Sequence, residues 1–206
     1  MNICVFASGA GTNFKALILS ERRKKIKSGI SLLITNNSYC GAVQTAVKYG
    51  IKFKVINRTL YPDISEETYD NLFLSAVKEQ GIDFILLAGY MKLLSVKLLK
   101  VFRHRIINIH PALLPSFGGK GMYGINVHKA VIESGVKVSG ITIHFVDEKY
   151  DEGKIIFQKC CAVSEEDDEF SLMQKIKKLE HKYYPEIVRK FEEKKIVFLK
   201  NKVVVY

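Results

Sequence analysis

What the sequence lacks narrows its possible classes. No basic segment followed by a long apolar run opens the chain, where only Asn2 precedes the first apolar stretch. A secretory signal or a membrane span is therefore not expected, and the chain reads as cytoplasmic. None of Cys4, Cys40, Cys160 and Cys161 forms a Cys-x-x-Cys pair, and adjacent cysteines rarely bridge each other, so reduced thiols are expected. His104, His110, His128, His144 and His181 lack ligand-type spacing with acids or cysteines, and no metal site is indicated. No Ser or Cys sits in a Gly-x-Ser-x-Gly turn, which argues against a covalent acyl intermediate. Nucleic-acid motifs are missing too, although 32 Lys and Arg against 21 Asp and Glu leave a net charge of +11. The basic residues are scattered over 22–27, Lys175, Lys177, Lys178 and 194–202, a pattern that favours attraction of an anionic metabolite over nucleic-acid binding. No repeat, low-complexity stretch or linker divides the 206 residues, and one domain over 1–206 is expected.

What is present is an alternation of strands and helices. Apolar strands are expected at 2–7, 31–35, 51–56, 83–88 and 106–110, with helices at 14–20, 42–49, 63–80 and 95–102 between them. In the helix over 63–80, Leu72, Leu74, Ala76 and Val77 are the apolar candidates, with Ser65 near its start. A helix at 126–134, antiparallel strands at 138–146 and 154–161, a long helix over 166–194 and a hairpin over 195–206, turning at Asn201 and Lys202, complete the pattern. The fold class is α/β: a Rossmann-like open sheet, mostly parallel with antiparallel strands toward the C-terminus and helices on both faces.

Residues 106–117 organise the rest. Side chains of a strand alternate faces, so Asn108 and His110 point the same way. Pro111 takes the chain out of the sheet just after His110, at the carboxyl edge where α/β proteins keep their sites. Asn-x-His-Pro alone is equally well read as a locally satisfied strand end. The acidic loop 147–153 shifts that balance, because it can bring a carboxylate to the same edge. Imidazole titrates near neutrality, a carboxylate beside it raises its pKa and fixes its tautomer, and a carboxamide donates to an oxygen that gains charge. That inventory suits acyl-type transfer without a covalent enzyme intermediate.

Two glycine-rich stretches add binding surfaces. Ser8-Gly9-Ala10-Gly11-Thr12-Asn13 follows the first strand and opens a helix, with Thr12 or Asn13 as its cap and backbone N–H groups free for a phosphate. Phe14-Lys15 follow Asn13, so the pattern is not Gly-x-Gly-x-x-Gly and a dinucleotide is disfavoured. A tight turn that needs glycine only for packing is the alternative, and the loop's place after the first strand of an α/β pattern favours the phosphate. Tyr90-Met91-Lys92-Leu93-Leu94 leaves the fourth strand and either walls a pocket or simply packs, and the loop 118–124 reads as mobile and able to fold over a ligand.

Residues 8–13, 87–94, 108–115 and 144–153 together resemble the phosphoribosylglycinamide formyltransferase family of the folate-dependent formyltransferase superfamily, in the same order and over essentially the whole chain. The resemblance implies transfer of a formyl group from 10-formyltetrahydrofolate to the amine of 5′-phosphoribosylglycinamide, in de novo purine (IMP) synthesis, without a metal. It implies catalytic roles for Asn108, His110 and Asp151, and substrate contacts for Gly11, Thr12, Asn13, Met91, Pro111 and Glu180. Folate contacts are implied for Met91, Lys92, Leu93, Leu94, Asn108, Val146, Asp147, Tyr150 and Asp151. The domain's N-terminal half would bind the nucleotide phosphate and its C-terminal half the folate. Expected partners are these small molecules, with no nucleic acid or membrane, and a monomer or weak homodimer. Two features depart from the family pattern: Glu66 stands where relatives carry an Arg that meets the folate tail, and the loop 117–126 is longer than in the shortest relatives. A methionyl-tRNA formyltransferase would need a further C-terminal domain and a formyltetrahydrofolate deformylase an N-terminal regulatory one. A plain anion-binding module would leave the Asn/His/Asp set unexplained.

Overall fold

The computed structural model describes residues 1–200 and 202–206. Their elements run β1 (Asn2–Phe6), α1 (Thr12–Arg22), β2 (Gly29–Thr35), α2 (Gly41–Tyr49), β3 (Lys52–Val55), α3 (Glu66–Glu79), β4 (Phe84–Leu87), α4 (Val96–Val101), β5 (Ile106–His110), α5 (Ile125–Glu133), β6 (Val138–Phe145), β7 (Ile155–Ala162), α6 (Glu169–Glu192), β8 (Ile196–Leu199) and β9 (Lys202–Val205). Seven strands form one sheet in the order β3-β2-β1-β4-β5-β6-β7, and β8 pairs with β9 in a second. The pairs β1/β2, β1/β4 and β2/β3 are parallel and β6/β7 is antiparallel, which is the expected architecture. The chain divides into two compact units, Met1–Ile107 and Asn108–Tyr206.

The first unit is built around β1. Ile3, Cys4, Val5 and Phe6 are fully buried, as a strand flanked by parallel neighbours and covered on both faces must be. With β2 on one side and β4 on the other, the winding reverses at β1/β4, and the loops that leave these two strands meet there. Ser8 N–H donates to the Gly89 carbonyl at 3.0 Å, and Met91 N–H donates to Ser8 Oγ at 3.0 Å. Entry into α1 differs from expectation. Gly11, not Thr12 or Asn13, is the N-cap: its φ is 72°, and no side chain caps the helix. A Cβ on Gly11 would stand 2.7 Å from the Ala42 Cα, so both conformation and space demand glycine. In α3, Ser65 caps by accepting from Thr68 N–H at 3.1 Å. The helix buries Phe73, Ala76 and Val77, leaving Leu72 and Leu74 only half-buried. Aromatic packing decides that rotation: the Phe73 ring stacks 6.1 Å from Phe6 and meets Tyr69 edge-on.

In the second unit the β6/β7 register slips by one residue between Ile143 and His144, so that Ile143 faces Phe157 and His144 faces Ile155. Such a bulge re-aims the side chain beside it. The segment after His110 is pinned to these strands. Leu114 N–H donates to Thr142 Oγ1 at 3.0 Å, Thr142 donates to the Ala112 carbonyl at 2.7 Å, and Gln158 Nε2 donates to the Leu114 carbonyl at 2.9 Å. Helix α6 starts at Asp168 with a reciprocal Asp168/Ser171 capping box and buries Leu172, Ile176, Tyr184, Ile187 and Val188. The expected terminal hairpin is β8/β9; Asn201, placed in its turn from the sequence, lies outside the described residues. All four cysteines are free thiols.

Candidate active site

Alternation along β5 buries Ile107 and Ile109 and turns Asn108 and His110 to the other side, where His110 is only 3% exposed. The end of β6 delivers His144, 2% exposed, and the turn after it delivers Asp151 in a left-handed conformation at φ 58°. The Asp151 carboxylate lies between the two imidazoles. Its Oδ2 is 3.5 Å from His110 Nδ1 and its Oδ1 is 3.6 Å from His144 Nε2, ion-pair separations rather than close hydrogen bonds. Oδ2 also accepts from Gly119 N–H at 2.9 Å. Asn108 Nδ2 stands 3.1 Å from His144 Nε2, and His110 Nε2 donates to the Phe117 carbonyl at 2.8 Å. Phe117 itself is left-handed at φ 56°, which turns its carbonyl inward. Gly118 permits this approach, since a Cβ there would stand 2.5 Å from Leu114 Cδ2 and 3.3 Å from Asp151 Cβ.

The electrostatics correct one expectation. Burial pushes the His110 pKa below its ordinary value, and the Asp151 charge and the Phe117 carbonyl, which pull upward, do not cancel it. The expected net rise is thus a fall, because the site is dry. For Asp151 the balance runs the other way. Burial alone would raise its pKa, yet the polar edge of His144, the charge on His110 and the Gly119 N–H together hold it below the usual carboxylate range. A neutral imidazole beside an ionised carboxylate is the resting arrangement near neutrality.

Asn108, His110 and Asp151 are therefore brought together, and Pro111 follows them half-buried. Asp147 and Tyr150 occupy exposed positions of the turn, with Asp147 Oδ1 accepting from Lys149 N–H at 3.0 Å, and Val146 is half-buried. Glu180 is buried on the inner face of α6, where its charge helps raise the Tyr184 pKa after burial has done most of that. In the first unit, Gly11 ends the β1–α1 turn as the N-cap of α1, and Thr12 and Asn13 are the first residues of that helix. Beside it, Met91 is tethered to Ser8, with Met91 Cε 4.0 Å from the place a Cβ on Gly9 would take. Lys92, Leu93 and Leu94 line a cavity of about 540 Å³ together with Arg58, Glu66 and Tyr69. There Glu66 pairs with Arg58, whose guanidinium lies 4.0 Å over the Tyr69 ring. Among the described residues no group of three His, Cys, Asp or Glu side chains could hold a metal ion.

Sequence reasoning missed three contributors. His144 had a legible signal, since it lies in the alternating run of 138–146 next to the acidic loop. Phe117 and Gly119 act through backbone atoms, which no residue type announces.

The site thus sets a half-buried carboxamide and a buried imidazole on one strand of an α/β sheet against a carboxylate from the turn after another, an inventory suited to group transfer. The chain belongs to the formyl transferase family, whose model, described as "Formyl transferase", matches residues 1–188. It is 42% identical over 198 residues to the chloroplastic phosphoribosylglycinamide formyltransferase of Arabidopsis thaliana, covering 94% of this chain and 66% of that protein. It is also 34% identical over 185 residues to the phosphoribosylglycinamide formyltransferase of Bacillus subtilis (strain 168), covering 90% of this chain and 91% of that one. The chain thus spans just under two thirds of the plant relative and nearly all of the bacterial one. Among solved structures, glycinamide ribonucleotide transformylase 1 from Symbiobacterium toebii superposes with a TM-score of 0.91 at 34% identity, covering 100% of this chain and 93% of that one.

Proposed function

We propose that this chain transfers the formyl group of 10-formyltetrahydrofolate to the amine of 5′-phosphoribosylglycinamide, yielding the N-formylated ribonucleotide and tetrahydrofolate in purine (IMP) synthesis. The carrying observation is the Asn108/His110/Asp151 cluster, gathered around the buried His110 ring at the end of β5, in a formyl transferase family member. The amine nitrogen attacks the formyl carbon, a C–N bond forms, and the carbonyl electron pair moves to oxygen. Asn108, through an amide N–H, holds that oxyanion. His110 starts neutral, takes the proton shed by the amine and gives it to the folate nitrogen as the old C–N bond breaks and the carbonyl re-forms. While His110 is charged, Asp151 at 3.5 Å balances it.

The remaining assignments follow the same reading. Gly11, Thr12 and Asn13 take the phosphate at a helix N-terminus, with Met91, Pro111 and Glu180 as further ribonucleotide contacts. Met91, Lys92, Leu93, Leu94, Val146, Asp147, Tyr150 and Asp151 face the folate. No metal takes part. The chain would act as a cytoplasmic monomer or weak homodimer on small molecules, apart from nucleic acid and membranes. No helix among the described residues is long and apolar enough to cross a membrane, while the chloroplastic relative shows that compartment varies within the family.

The test mixes purified protein with 10-formyltetrahydrofolate, with and without the ribonucleotide, and follows both products. Tetrahydrofolate released only in the presence of ribonucleotide, with matching formylated product, is expected. Release without the ribonucleotide would mean hydrolysis, and no release in either mixture would remove the folate reaction.

A further inference from the structure

We propose that Arg58 receives a carboxylate at the tail of the bound folate, and that Glu66 is the counter-ion that occupies Arg58 until that carboxylate arrives. Resting on the function proposed above, this gives the folate tail a receptor that neither the family match nor the relatives' names supply. It also lies outside the family pattern, in which position 66 itself carries the cation.

Arg58 is held on two sides. Its Nη1 donates to the Ile64 carbonyl at 2.9 Å, and its guanidinium lies 4.0 Å over the Tyr69 ring. Tyr69 in turn meets Phe73 edge-on at 5.5 Å, and Phe73 stacks on the fully buried Phe6. The plane of the guanidinium is therefore fixed from the core outward. Nη2 is left over. It is buried and makes no hydrogen bond: Glu66 Oε1 covers it as a charge, without the alignment a hydrogen bond needs. A guanidinium fixed in this way, with the hydrogens of Nη2 lacking an acceptor, is a receptor for a carboxylate.

Glu66 is suited to leave. Its side chain is 86% exposed, against 38% for Arg58, so water takes it up readily when it swings away. It stands in the first turn of α3, where a carboxylate is favoured even without Arg58. Its neighbour Glu67 does not replace it, being paired with Lys97 at 2.7 Å. Arg58 and Lys92 against Glu66 and Asp70 balance the charge around the cavity, and with Glu66 swung out the lining turns positive.

The occupant follows from the cavity. Its volume of about 540 Å³ is that of a small-molecule site, and Leu93, Leu94 and Leu98 give it an apolar wall. Lys92, Leu93 and Leu94 are the residues already proposed to face the folate, so a single ligand spans them and Arg58. A folate ends in an aryl ring joined to glutamate, whose carboxylates are ionised near neutrality. The ring suits the leucine wall, and a carboxylate suits Arg58.

Calorimetry on the intact protein, with tetrahydrofolate and with tetrahydropteroate, which lacks the glutamate, tests this without turnover. The unaltered protein should bind tetrahydrofolate about tenfold to a hundredfold more tightly, the range expected of a charge-assisted pair. Arg58→Gln should lose most of that factor for tetrahydrofolate and leave tetrahydropteroate binding nearly as it was. Glu66→Gln, which frees Arg58, should tighten tetrahydrofolate binding about twofold to fivefold and leave tetrahydropteroate binding unchanged. Equal affinity of the unaltered protein for the two ligands, or an Arg58→Gln loss that is the same for both, would show that Arg58 only ties the 56–65 connection together. Tetrahydrofolate binding that does not tighten in Glu66→Gln would overturn the part given to Glu66. No binding of either ligand would remove the folate reaction and this inference with it, whereas formyl transfer by a protein blind to the glutamate would keep the function and overturn the inference alone.

Discussion

Asn108 is half-buried with its carboxamide 3.1 Å from His144 Nε2, a contact that holds the side chain in place before any substrate arrives. Donors preorganised in this way are worth a large factor, and Asn108→Ala should lower turnover about a hundredfold to a thousandfold. Near-normal turnover in that variant would take Asn108 out of the mechanism. His110 supplies a second reading. Because burial lowers its pKa from the ordinary 6.5, the ring stays neutral, and competent as a base, to lower pH than a solvated histidine. Turnover should therefore hold as pH falls through 6.5 and decline only below it, as protons begin to occupy the ring. An acid-side midpoint above that value in the pH–rate profile would show that Asp151, not burial, controls the imidazole. Residue types made Asn108 and His110 legible, because Asn and His two apart on a short apolar strand before proline share a face, whereas Asp151 was implied only by the family resemblance. The direction of the His110 shift was not legible, because it depends on how much water the fold excludes.

The β1–α1 turn combines a left-handed glycine, a helix N-terminus without a side-chain cap, and close packing on α2. Adding a methyl at Gly11 pushes against the backbone at Ala42, so Gly11→Ala should distort this turn first. Its expected signature is a KM for the ribonucleotide that rises far more than the KM for the folate. Equal rises in steady-state measurements would move the phosphate elsewhere. The existence and type of these elements followed from periodicity, but two details did not. The cap of α1 fell on Gly11 because the turn needs φ 72°, leaving Thr12 and Asn13 inside the helix. The face of α3 turned toward Phe73 because an aromatic partner, Phe6, waits beneath it.

Charge acts over the whole molecule. A net charge of +11 raises the local concentration of anions, and both proposed substrates are anionic. Raising salt from about 0.1 M to about 1 M shortens the screening length from about 10 Å to about 3 Å. The KM for the ribonucleotide should rise several-fold over that range while kcat changes little; a KM indifferent to salt would show that only local contacts hold the substrate. The order of strands and helices, the α/β class and the shared face of Asn108 and His110 were determined by the sequence itself, since alternation and apolar runs are local properties of the chain, while Asp151 was singled out within the acidic loop only by the family resemblance. Which partners those residues meet was decided only by tertiary structure. The Phe117 carbonyl on His110, the Gly119 N–H on Asp151 and the His144 ring on Asn108 are backbone or long-range contacts, and they exist because the fold buries them together and excludes the water that would otherwise satisfy each one.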